Sequence, residues 1–271
     1  MRTVHPLARL NLGSFWRRRV RLWGYEVSAD SMDRLAYLQF HRLGWMGCDE
    51  KKFLEETVRP GMRVVDVGAN LGLYTLLLSR LVGESGTVVA LEPDPQLFET
   101  LKANCLSNGA HNVEIHNLAA GSSSARMLLA RSLINAGDNR LAPNSTSALT
   151  RPVEVQVTTV DAIISKRPVD FVKVDVQGWE SHVLSGMREV FRANAGIQVY
   201  FEYWPYGLNK AGCEPSSLLR QFDDLGFRLF EVSGGRHVAI ADLQGWNGPR
   251  GSRYTNLYAV RRAQSESQAA C

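Results

Sequence analysis

The chain lacks the features that would assign it at once to a disulfide-rich, zinc-binding or membrane class. Its four cysteines are isolated and form no C-x-x-C pair: Cys48, Cys105, Cys213 and Cys271. This spacing indicates neither a disulfide framework nor a zinc site, and it is typical of the reducing cytoplasm. The longest apolar stretch, 71–82, contains Ser79 and Arg80 and is too short to span a bilayer. We therefore expect a cytoplasmic protein without a transmembrane segment.

Acidic residues are missing from the start of the chain. Six arginines precede the first acid, Glu26: Arg2, Arg9, Arg17, Arg18, Arg19 and Arg21. This basic arm either touches nucleic acid, anionic lipid at a membrane surface or a phosphorylated substrate, or it is a solvated arm. We divide the chain into a basic N-terminal extension (1–48), one domain (49–262) and a polar tail (263–271).

From residue 62 onward, strand-length apolar runs alternate with helical patterns. Strands are expected at 63–67, 87–91, 113–115, 170–176, 197–202, 227–232 and 255–260, with helices at 49–58, 71–82, after Asp94, at 183–191 and at 216–225. Strands separated by helices imply parallel pairing and a ligand cleft at the strand C-termini. The sequence predicts an α/β fold with a doubly wound, mostly parallel seven-stranded sheet and a reversed edge strand. A hairpin is expected within 122–157.

The loop after the first strand of this domain reads Asp66-Val67-Gly68-Ala69-Asn70-Leu71-Gly72. Gly68 allows a sharp turn and leaves space where a Cβ would collide with a ligand. Asn70 tolerates a left-handed conformation, Gly72 permits close helix–strand packing, and Asp66 places a carboxylate at the strand end. The spacing G-x-x-x-G fits neither a dinucleotide fingerprint nor a P-loop. The loop therefore favours a ligand without phosphates.

Two polar residues follow the next strands. Glu92 comes directly after the second strand, where a carboxylate can accept hydrogen bonds from both ribose hydroxyls. Asn117 comes just past the third strand, where it either contacts an adenine ring or stabilises a loop turn. Together with the glycine turn, these positions predict an adenosine site.

Two blocks of sequence carry a family resemblance. The string D-V-G-A-N-x-G-x-Y-T stands at 66–75, followed by E-P at 92–93 and by Asn104 in the second long helix. The block D-F-x-K-x-D-V-x-G-x-E stands at 170–180 and is completed at 183–186. In these residues the chain resembles the FkbM family of S-adenosylmethionine-dependent methyltransferases, roughly from 50 to 260.

The resemblance implies a class I, Rossmann-like methyltransferase fold that binds S-adenosylmethionine. It also implies O-methylation of a small-molecule hydroxyl on a sugar, glycolipid or polyketide-type secondary metabolite. The predicted cofactor-binding residues are Glu50, Asp66, Gly68, Ala69, Asn70, Gly72, Tyr74, Glu92, Asn117 and Asp175. One departure is Gln177, where the family commonly has glutamate, and this removes a carboxylate near the site. No metal ligand is assigned.

Methyl transfer requires an acceptor oxygen held about 3 Å from the methyl carbon, and a base for the hydroxyl proton. Asp175 ends the fourth strand and is the first candidate base; it could instead cap a helix or contact the amino-acid end of the cofactor. Glu180 either assists it or complements the dipole of the next helix. His182 is the second candidate base, with a solvent-exposed histidine as the alternative.

Lys173 lies in the middle of a strand that should be buried on both faces. Strand alternation puts it on the same face as Asp175. Because an unpaired buried ammonium is unfavourable, it needs a carboxylate partner, and we predict Glu202. An organising ion pair is favoured over a catalytic lysine. The candidate catalytic residues are thus Asp175, Glu180, His182, Lys173 and Glu202.

Two other functions stay open at this point. A methyltransferase acting on RNA or other nucleic acid is encouraged by the arginine arm, but 175–178 lacks the [DN]-P-P-[YF] motif of amino-directed enzymes. A non-catalytic S-adenosylmethionine-binding protein is the second alternative. Four aromatic residues either form walls for a sugar ring or macrocycle, or belong to the core: Tyr203, Trp204, Tyr206 and Trp246.

Overall fold

The computed structural model describes residues 19–28, 48–133, 135–141, 148–234, 236–243, 246, 248–249 and 251–262. Its helices are α1 (Cys48–Thr57), α2 (Leu73–Val82), α3 (Pro95–Ser107), α4 (Val160–Ile164), α5 (Glu180–Ser185), α6 (Arg188–Ala193), α7 (Pro205–Lys210) and α8 (Pro215–Asp224). Its strands are β1 (Arg19–Leu22), β2 (Tyr25–Ser28), β3 (Arg63–Val67), β4 (Thr87–Leu91), β5 (Val113–His116), β6 (Ala119–Ala120), β7 (Ala125–Ser132), β8 (Arg140–Leu141), β9 (Thr150–Thr158), β10 (Phe171–Val174), β11 (Gln198–Tyr203), β12 (Phe227–Ser233), β13 (Arg236–Ala239) and β14 (Thr255–Arg261). Most of the predicted basic extension and all of the predicted tail lie outside the described residues. None of the helices described is long and apolar enough to cross a membrane.

Eight strands form the central sheet, in the order β13-β12-β14-β11-β10-β3-β4-β5. The five strands from β11 to β5 run parallel, whereas β14 is antiparallel to both of its neighbours. The doubly wound α/β class predicted from the alternation of strands and helices is confirmed. Because parallel strands point their carboxyl ends the same way, the loops after β3, β4 and β10 meet at one edge.

The sheet has one strand more than the seven expected, and the predicted last strand does not take the edge. β14 lies between β11 and β12 because Leu257, Tyr258 and Ala259 at its centre are buried. β13 is exposed along its whole length and takes the edge instead. Its four residues carry no alternating apolar pattern, so periodicity alone could not indicate it.

Two predicted elements end earlier than their apolar patterns. The strand expected at 170–176 stops at Val174, because the chain turns at Asp175, whose N–H still donates to the carbonyl of Val67 at 3.0 Å. The helix expected through 183–191 is divided into α5 and α6 at Gly186. A Cβ on Gly186 would lie 2.0 Å from the carbonyl oxygen of Gly121, so only glycine allows this approach.

Helix α1 is anchored to the sheet by one aromatic side chain. The ring of Phe53 stacks on Tyr200 of β11 at 5.1 Å between centroids, and it meets Tyr258 of β14 edge-on at 4.9 Å. Phe53 is fully buried in this contact. The packing fixes the start of α1, and therefore Asp49 and Glu50, against the large cavity described below.

The predicted hairpin forms as β7 and β9, which pair from Ala125↔Val157 to Ser132↔Thr150. With β6 and β8 it builds a separate four-stranded sheet. Arg131 on β7 connects this sheet to the loop after β4. Its Nε and Nη2 donate to the two carboxylate oxygens of Asp94 at 2.5 and 2.6 Å. Asp94 is buried and also caps α3. The two hydrogen bonds from Arg131, called the Arg131 fork below, therefore fix the hairpin to the loop that follows β4.

Arg131→Ala should lower the free energy of unfolding by about 3 kcal/mol, because it leaves the Asp94 carboxylate buried without its cation. Arg126→Ala is the matched control: Arg126 lies on the same strand and pairs with Glu154, but both side chains are mostly exposed. It should cost less than about 1 kcal/mol. Urea unfolding of both variants gives the comparison, and equal losses would contradict the role of the Arg131 fork.

Candidate cofactor and acceptor site

The turn between β3 and α2 has left-handed backbone at three residues, the first two being Gly68 with φ +81° and Asn70 with φ +53°. The N–H groups of Gly68 and Ala69 donate to the carbonyl of Leu91 at 3.0 and 2.9 Å, which fixes the turn to the end of β4. A Cβ on Gly68 would lie 1.9 Å from the carbonyl oxygen of Asp175. Ligand clearance was the reason expected for this glycine, but the backbone of Asp175 already requires it.

The second glycine of the turn serves helix–helix packing, not the helix–strand packing expected. Gly72 has φ +96°, and a Cβ there would lie 2.6 Å from Cδ1 of Leu101 on α3. Asn104, also on α3, hydrogen-bonds to the backbone of the same turn. Its side-chain amide donates to the carbonyls of Leu71 at 2.7 Å and Ser28 at 3.3 Å. Asn104, the asparagine of the family motif, thus stabilises the turn by hydrogen bonds to its backbone.

Glu92 is buried at the end of β4, and its two carboxylate oxygens accept hydrogen bonds from the backbone. Asn70 N–H donates to Oε2 and Asp94 N–H to Oε1, both at 2.8 Å. Burial raises the pKa of Glu92 to about 8, although the two hydrogen bonds act in the opposite direction. The residue lines a small cavity of about 90 Å³ together with Leu97 and Trp179. Glu92 therefore ties the glycine turn to the next loop and borders a pocket at the same time.

Asn117 does not line either cavity. Its side-chain amide donates to the carbonyls of Glu92 at 2.8 Å and Pro93 at 3.0 Å. The adenine contact considered from the sequence is therefore corrected in favour of the loop-bracing role. Asn139 and Arg140, from the hairpin sheet, line the small cavity instead.

Lys173 is buried and lies between two carboxylates. Its Nζ is 3.4 Å from Oδ1 of Asp66 and 3.6 Å from Oδ2 of Asp175, and it sits 4.9 Å over the ring of Tyr74. Burial opposes the charge, but Asp66 and then Asp175 outweigh it, so the pKa of Lys173 is raised overall. Lys173 therefore keeps its proton at neutral pH and is not a base.

The predicted partner of Lys173, Glu202, was wrong. The strand register sets Lys173 opposite Asp66 on β3 and Tyr200 on β11, whereas Glu202 lies two residues further along β11. Asp66 is fully buried and also accepts a hydrogen bond from the hydroxyl of Thr75 at 2.7 Å. Asp66 is thus a partner within the sheet, and it does not line the cavities.

Glu202 is connected to Asp175 through Gln177. The Gln177 side-chain amide donates to Oδ1 of Asp175 at 2.9 Å and to Oε2 of Glu202 at 3.0 Å, from a residue with φ +54°. Burial, and then the charge of Asp175, raises the pKa of Glu202 well above its usual range. Gln177 therefore supplies hydrogen-bond donors where a glutamate would bring a third negative charge.

Glu180 and His182 do not line either cavity. Oε1 of Glu180 accepts hydrogen bonds from the N–H groups of Val176 and Gly178, both at 3.2 Å, so this side chain stabilises the turn before α5. Burial raises the pKa of Glu180 to about 7. His182 is half-buried and stacks on Trp179 at 3.7 Å between ring centroids. The contacts of Glu180 match its structural alternative, and catalytic roles for both residues stay predictions.

A large cavity of about 930 Å³ opens beside the glycine turn. Glu50, Tyr74, Asp175, Glu202 and Trp204 are among its lining residues. Glu50 accepts a hydrogen bond from the amide of Asn256 at 3.0 Å, and burial raises its pKa.

Of the four aromatic residues singled out in the sequence, Trp204 lines this cavity. Tyr203 and Trp246 pack in the core, and Tyr206 is exposed.

The two cavities share a border formed by Gly68, Asn70, Gly137, Asp175 and Gln177. Glu92 borders the small cavity, as the acid predicted to bind a ribose diol would, whereas carboxylates in the large one suit a cationic group. Within the described part of the chain, no group of three His, Cys, Asp or Glu side chains could hold a metal ion. The residues fit a nucleoside that carries a positively charged extension.

The family model of the FkbM methyltransferase domain matches residues 66–229, which include the turn, Glu92 and the Lys173–Asp175 strand. This chain belongs to the FkbM methyltransferase family. Its cofactor is S-adenosylmethionine, a nucleoside that carries a positively charged extension.

Curated relatives match only a short stretch of the chain. The chain is 37% identical over 75 residues to a protein-L-isoaspartate O-methyltransferase from Methanococcus maripaludis, which covers 28% of this chain and 32% of that protein. It is 37% identical over 60 residues to a 23S rRNA (uracil(1939)-C(5))-methyltransferase from Psychrobacter arcticus, covering 22% of this chain and 12% of that one. The chain therefore spans about a third or less of the length of these relatives.

Solved structures are also similar. An O-methyltransferase of tomaymycin synthesis from Streptomyces achromogenes has a TM-score of 0.49 at 14% identity, covering 87% of this chain and 92% of that chain. An S-adenosylmethionine-dependent methyltransferase from Aquifex aeolicus has a TM-score of 0.45 at 18% identity, covering 83% of this chain and 97% of that chain.

Three features of this FkbM-family site were not predicted. The indole of Trp179 lines the small cavity, and its Nε1 is buried without a hydrogen-bond partner in the described structure. Tyr200 contributes a buried hydroxyl to the large cavity. Gln177 bridges two carboxylates. In the sequence, Trp179 and Tyr200 look like ordinary core residues. No sequence pattern indicates that Gln177 has a positive φ.

Gly68→Ala should lose cofactor affinity and more than about 3 kcal/mol of stability, because the methyl group meets the Asp175 backbone. Gly226→Ala is the control, since Gly226 has φ +78° but a Cβ added there would meet nothing within 4 Å. It should lose only the left-handed penalty of about 1–2 kcal/mol. Urea unfolding and calorimetric titration with S-adenosylhomocysteine measure both effects. Equal losses in the two variants would contradict the close approach.

The free energy of unfolding should fall as pH rises from about 5 to about 8. Glu92 and Glu180 have folded-state pKa values of about 8 and about 7, above the ordinary 4.5, so the unfolded chain releases their protons first. Oε2 of Glu180 has no partner among the described residues, so Glu180→Gln keeps the two accepted bonds on Oε1. Over that pH range, the free energy of unfolding of this variant should fall by up to about 3 kcal/mol less than that of the native chain. Parallel pH profiles would contradict the assignment.

Proposed function

We propose that this FkbM-family chain catalyses O-methylation of a small-molecule hydroxyl, on a sugar, glycolipid or polyketide-type secondary metabolite. The observation that carries the proposal is the position of Asp175, which borders both the Glu92 cavity and the large cavity. When bound, S-adenosylmethionine supplies the electrophilic methyl group. A carboxylate at the border between nucleoside and acceptor is where a hydroxyl proton has to be received.

Asp175 is suited to orient the acceptor hydroxyl. Lys173 lies near one of its carboxylate oxygens and Gln177 hydrogen-bonds to the other, so the side chain is held in one orientation. The acceptor oxygen forms the new bond to carbon while the carbon–sulfur bond breaks, and the hydroxyl proton passes to the carboxylate. The products are a methyl ether and S-adenosylhomocysteine. Gln177 donates to both Asp175 and Glu202, so it holds these two side chains next to each other beside the acceptor.

The nucleic-acid alternative receives little support from the charges of the site. The large cavity has five lining carboxylates, which would repel a phosphate backbone: Asp49, Glu50, Asp138, Asp175 and Glu202. The arginine arm that suggested it lies mostly outside the described residues. The non-catalytic alternative leaves the arrangement around Asp175 without a purpose.

The experiment has two parts. Calorimetry of the purified full chain with S-adenosylmethionine and S-adenosylhomocysteine tests cofactor binding. Mass spectrometry then follows hydroxyl-bearing metabolite pools for a gain of one CH₂ together with released S-adenosylhomocysteine. We expect both signals. Binding without transfer would favour the non-catalytic alternative, and methylation of RNA with salt-sensitive binding would favour the nucleic-acid enzyme.

Asp175→Asn should lower kcat by about 10²–10⁴-fold, because the acceptor hydroxyl loses its proton acceptor. The Kd of S-adenosylhomocysteine should change much less, since Asn keeps the backbone that contacts Gly68. His182→Gln is the control for the second candidate base, and it should keep near-native kcat because His182 lies outside both cavities. A large loss in His182→Gln, or none in Asp175→Asn, would contradict the assignment.

A further inference from the structure

The charged groups that line the large cavity are almost all of one sign. Five carboxylates line it, and Lys173 is the one cation among the lining residues of the described structure. Lys173 already serves Asp66 and Asp175. Glu50 and Glu202 have hydrogen-bond donors, from Asn256 and Gln177, but neither makes an ion pair within 4 Å in the described part of the chain, although the charge of Lys173 also acts on Glu202.

A second observation points to a ligand in the same cavity. Tyr200 is 3% exposed and lines the cavity, yet its hydroxyl has no hydrogen-bond partner among the described residues. The ring cannot turn away freely, because it is stacked on Phe53. Burial, followed by the charge of Glu50, raises the pKa of Tyr200, so the hydroxyl stays protonated. A buried hydroxyl without a partner is unfavourable, and a polar atom of a ligand would satisfy it.

Aromatic rings lie beside these carboxylates. Trp204 and Tyr254 line the cavity with Glu50 and Glu202. Burial, and then the charges of Glu202, Glu50 and Asp175, raises the pKa of the Tyr254 hydroxyl. Carboxylates combined with aromatic faces are the surroundings that a protonated amine prefers.

We infer that the acceptor is an amine-bearing polyol of the amino-sugar class, with its ammonium group between Glu50 and Glu202 and one of its hydroxyls on Tyr200. This inference rests on the proposed function and narrows its substrate class. The five carboxylates outnumber the positive charge of Lys173 and the net single positive charge of the cofactor, which has a sulfonium, an ammonium and a carboxylate, so a further cation is accommodated. An acceptor bearing phosphate or carboxylate is repelled by the same groups.

The test uses the full chain saturated with S-adenosylhomocysteine and three probes that share one ring: methyl glucosaminide, its N-acetyl derivative and methyl glucuronide. Binding is measured by nuclear magnetic resonance titration. The amine probe should bind at least about tenfold more tightly than the amide, because it makes charge-assisted hydrogen bonds, and the acid should bind weakest.

Glu202→Gln should bring the amine probe close to the affinity of the amide probe. Glu99→Gln, an exposed acid on α3, is the matched control and should leave all three affinities unchanged. Tyr200→Phe should weaken the amine and amide probes alike, since both lose the same hydroxyl contact. Unfolding curves of each variant confirm that the chain is folded.

No preference for the amine, a preference for the acid, or no detectable binding of the amine probe would overturn the inference. A preference that survives Glu202→Gln unchanged would overturn the assigned position of the ammonium. If S-adenosylhomocysteine itself binds, these outcomes leave the proposed methyl transfer standing. If it does not bind, the proposed function fails, and this inference fails with it.

Discussion

The buried ammonium of Lys173 holds the site together. It lies on β10, between β3 and β11, in a place where a single charge would be strongly unfavourable. Asp66 and Asp175 make it acceptable, one from the neighbouring strand and one from the end of its own strand. The same arrangement sets the position of Asp175, whose carbonyl then comes so close to Gly68 that no side chain fits there. Removing one partner of such a group leaves the others unpaired, which typically costs about 3–5 kcal/mol.

This arrangement gives Asp175 two functions on one residue. Its backbone shapes the glycine turn, and its side chain lines the large cavity in which we propose that the acceptor binds. Glu92 shows a similar division, because it fixes two backbone N–H groups and also borders the small cavity. The burial that raises the pKa of Glu92 and Glu180 lowers the stability of the fold near neutral pH. Such perturbed carboxyl groups gather where a protein binds or reacts.

The sequence predicted the parts of the site that depend on local chemistry. A glycine turn after a buried strand, and a carboxylate after the next strand, have few structural explanations. The partner of Lys173 depends on strand register, which places Asp66 directly opposite and Glu202 two residues away. No local pattern reports register between distant strands. The side chain of Asn117 also turns toward a distant partner, the backbone of Glu92 and Pro93, whereas Glu180 and His182 contact residues of their own turn.

In this interpretation of the site, S-adenosylmethionine lies between Glu92 and Asp175. A crystal structure of the full chain with S-adenosylhomocysteine tests this position most directly. We expect the ribose diol on the Glu92 carboxylate and the sulfur atom on the Asp175 side of the turn, facing the large cavity. A nucleoside bound elsewhere, or one whose sulfur points away from Asp175, would contradict it.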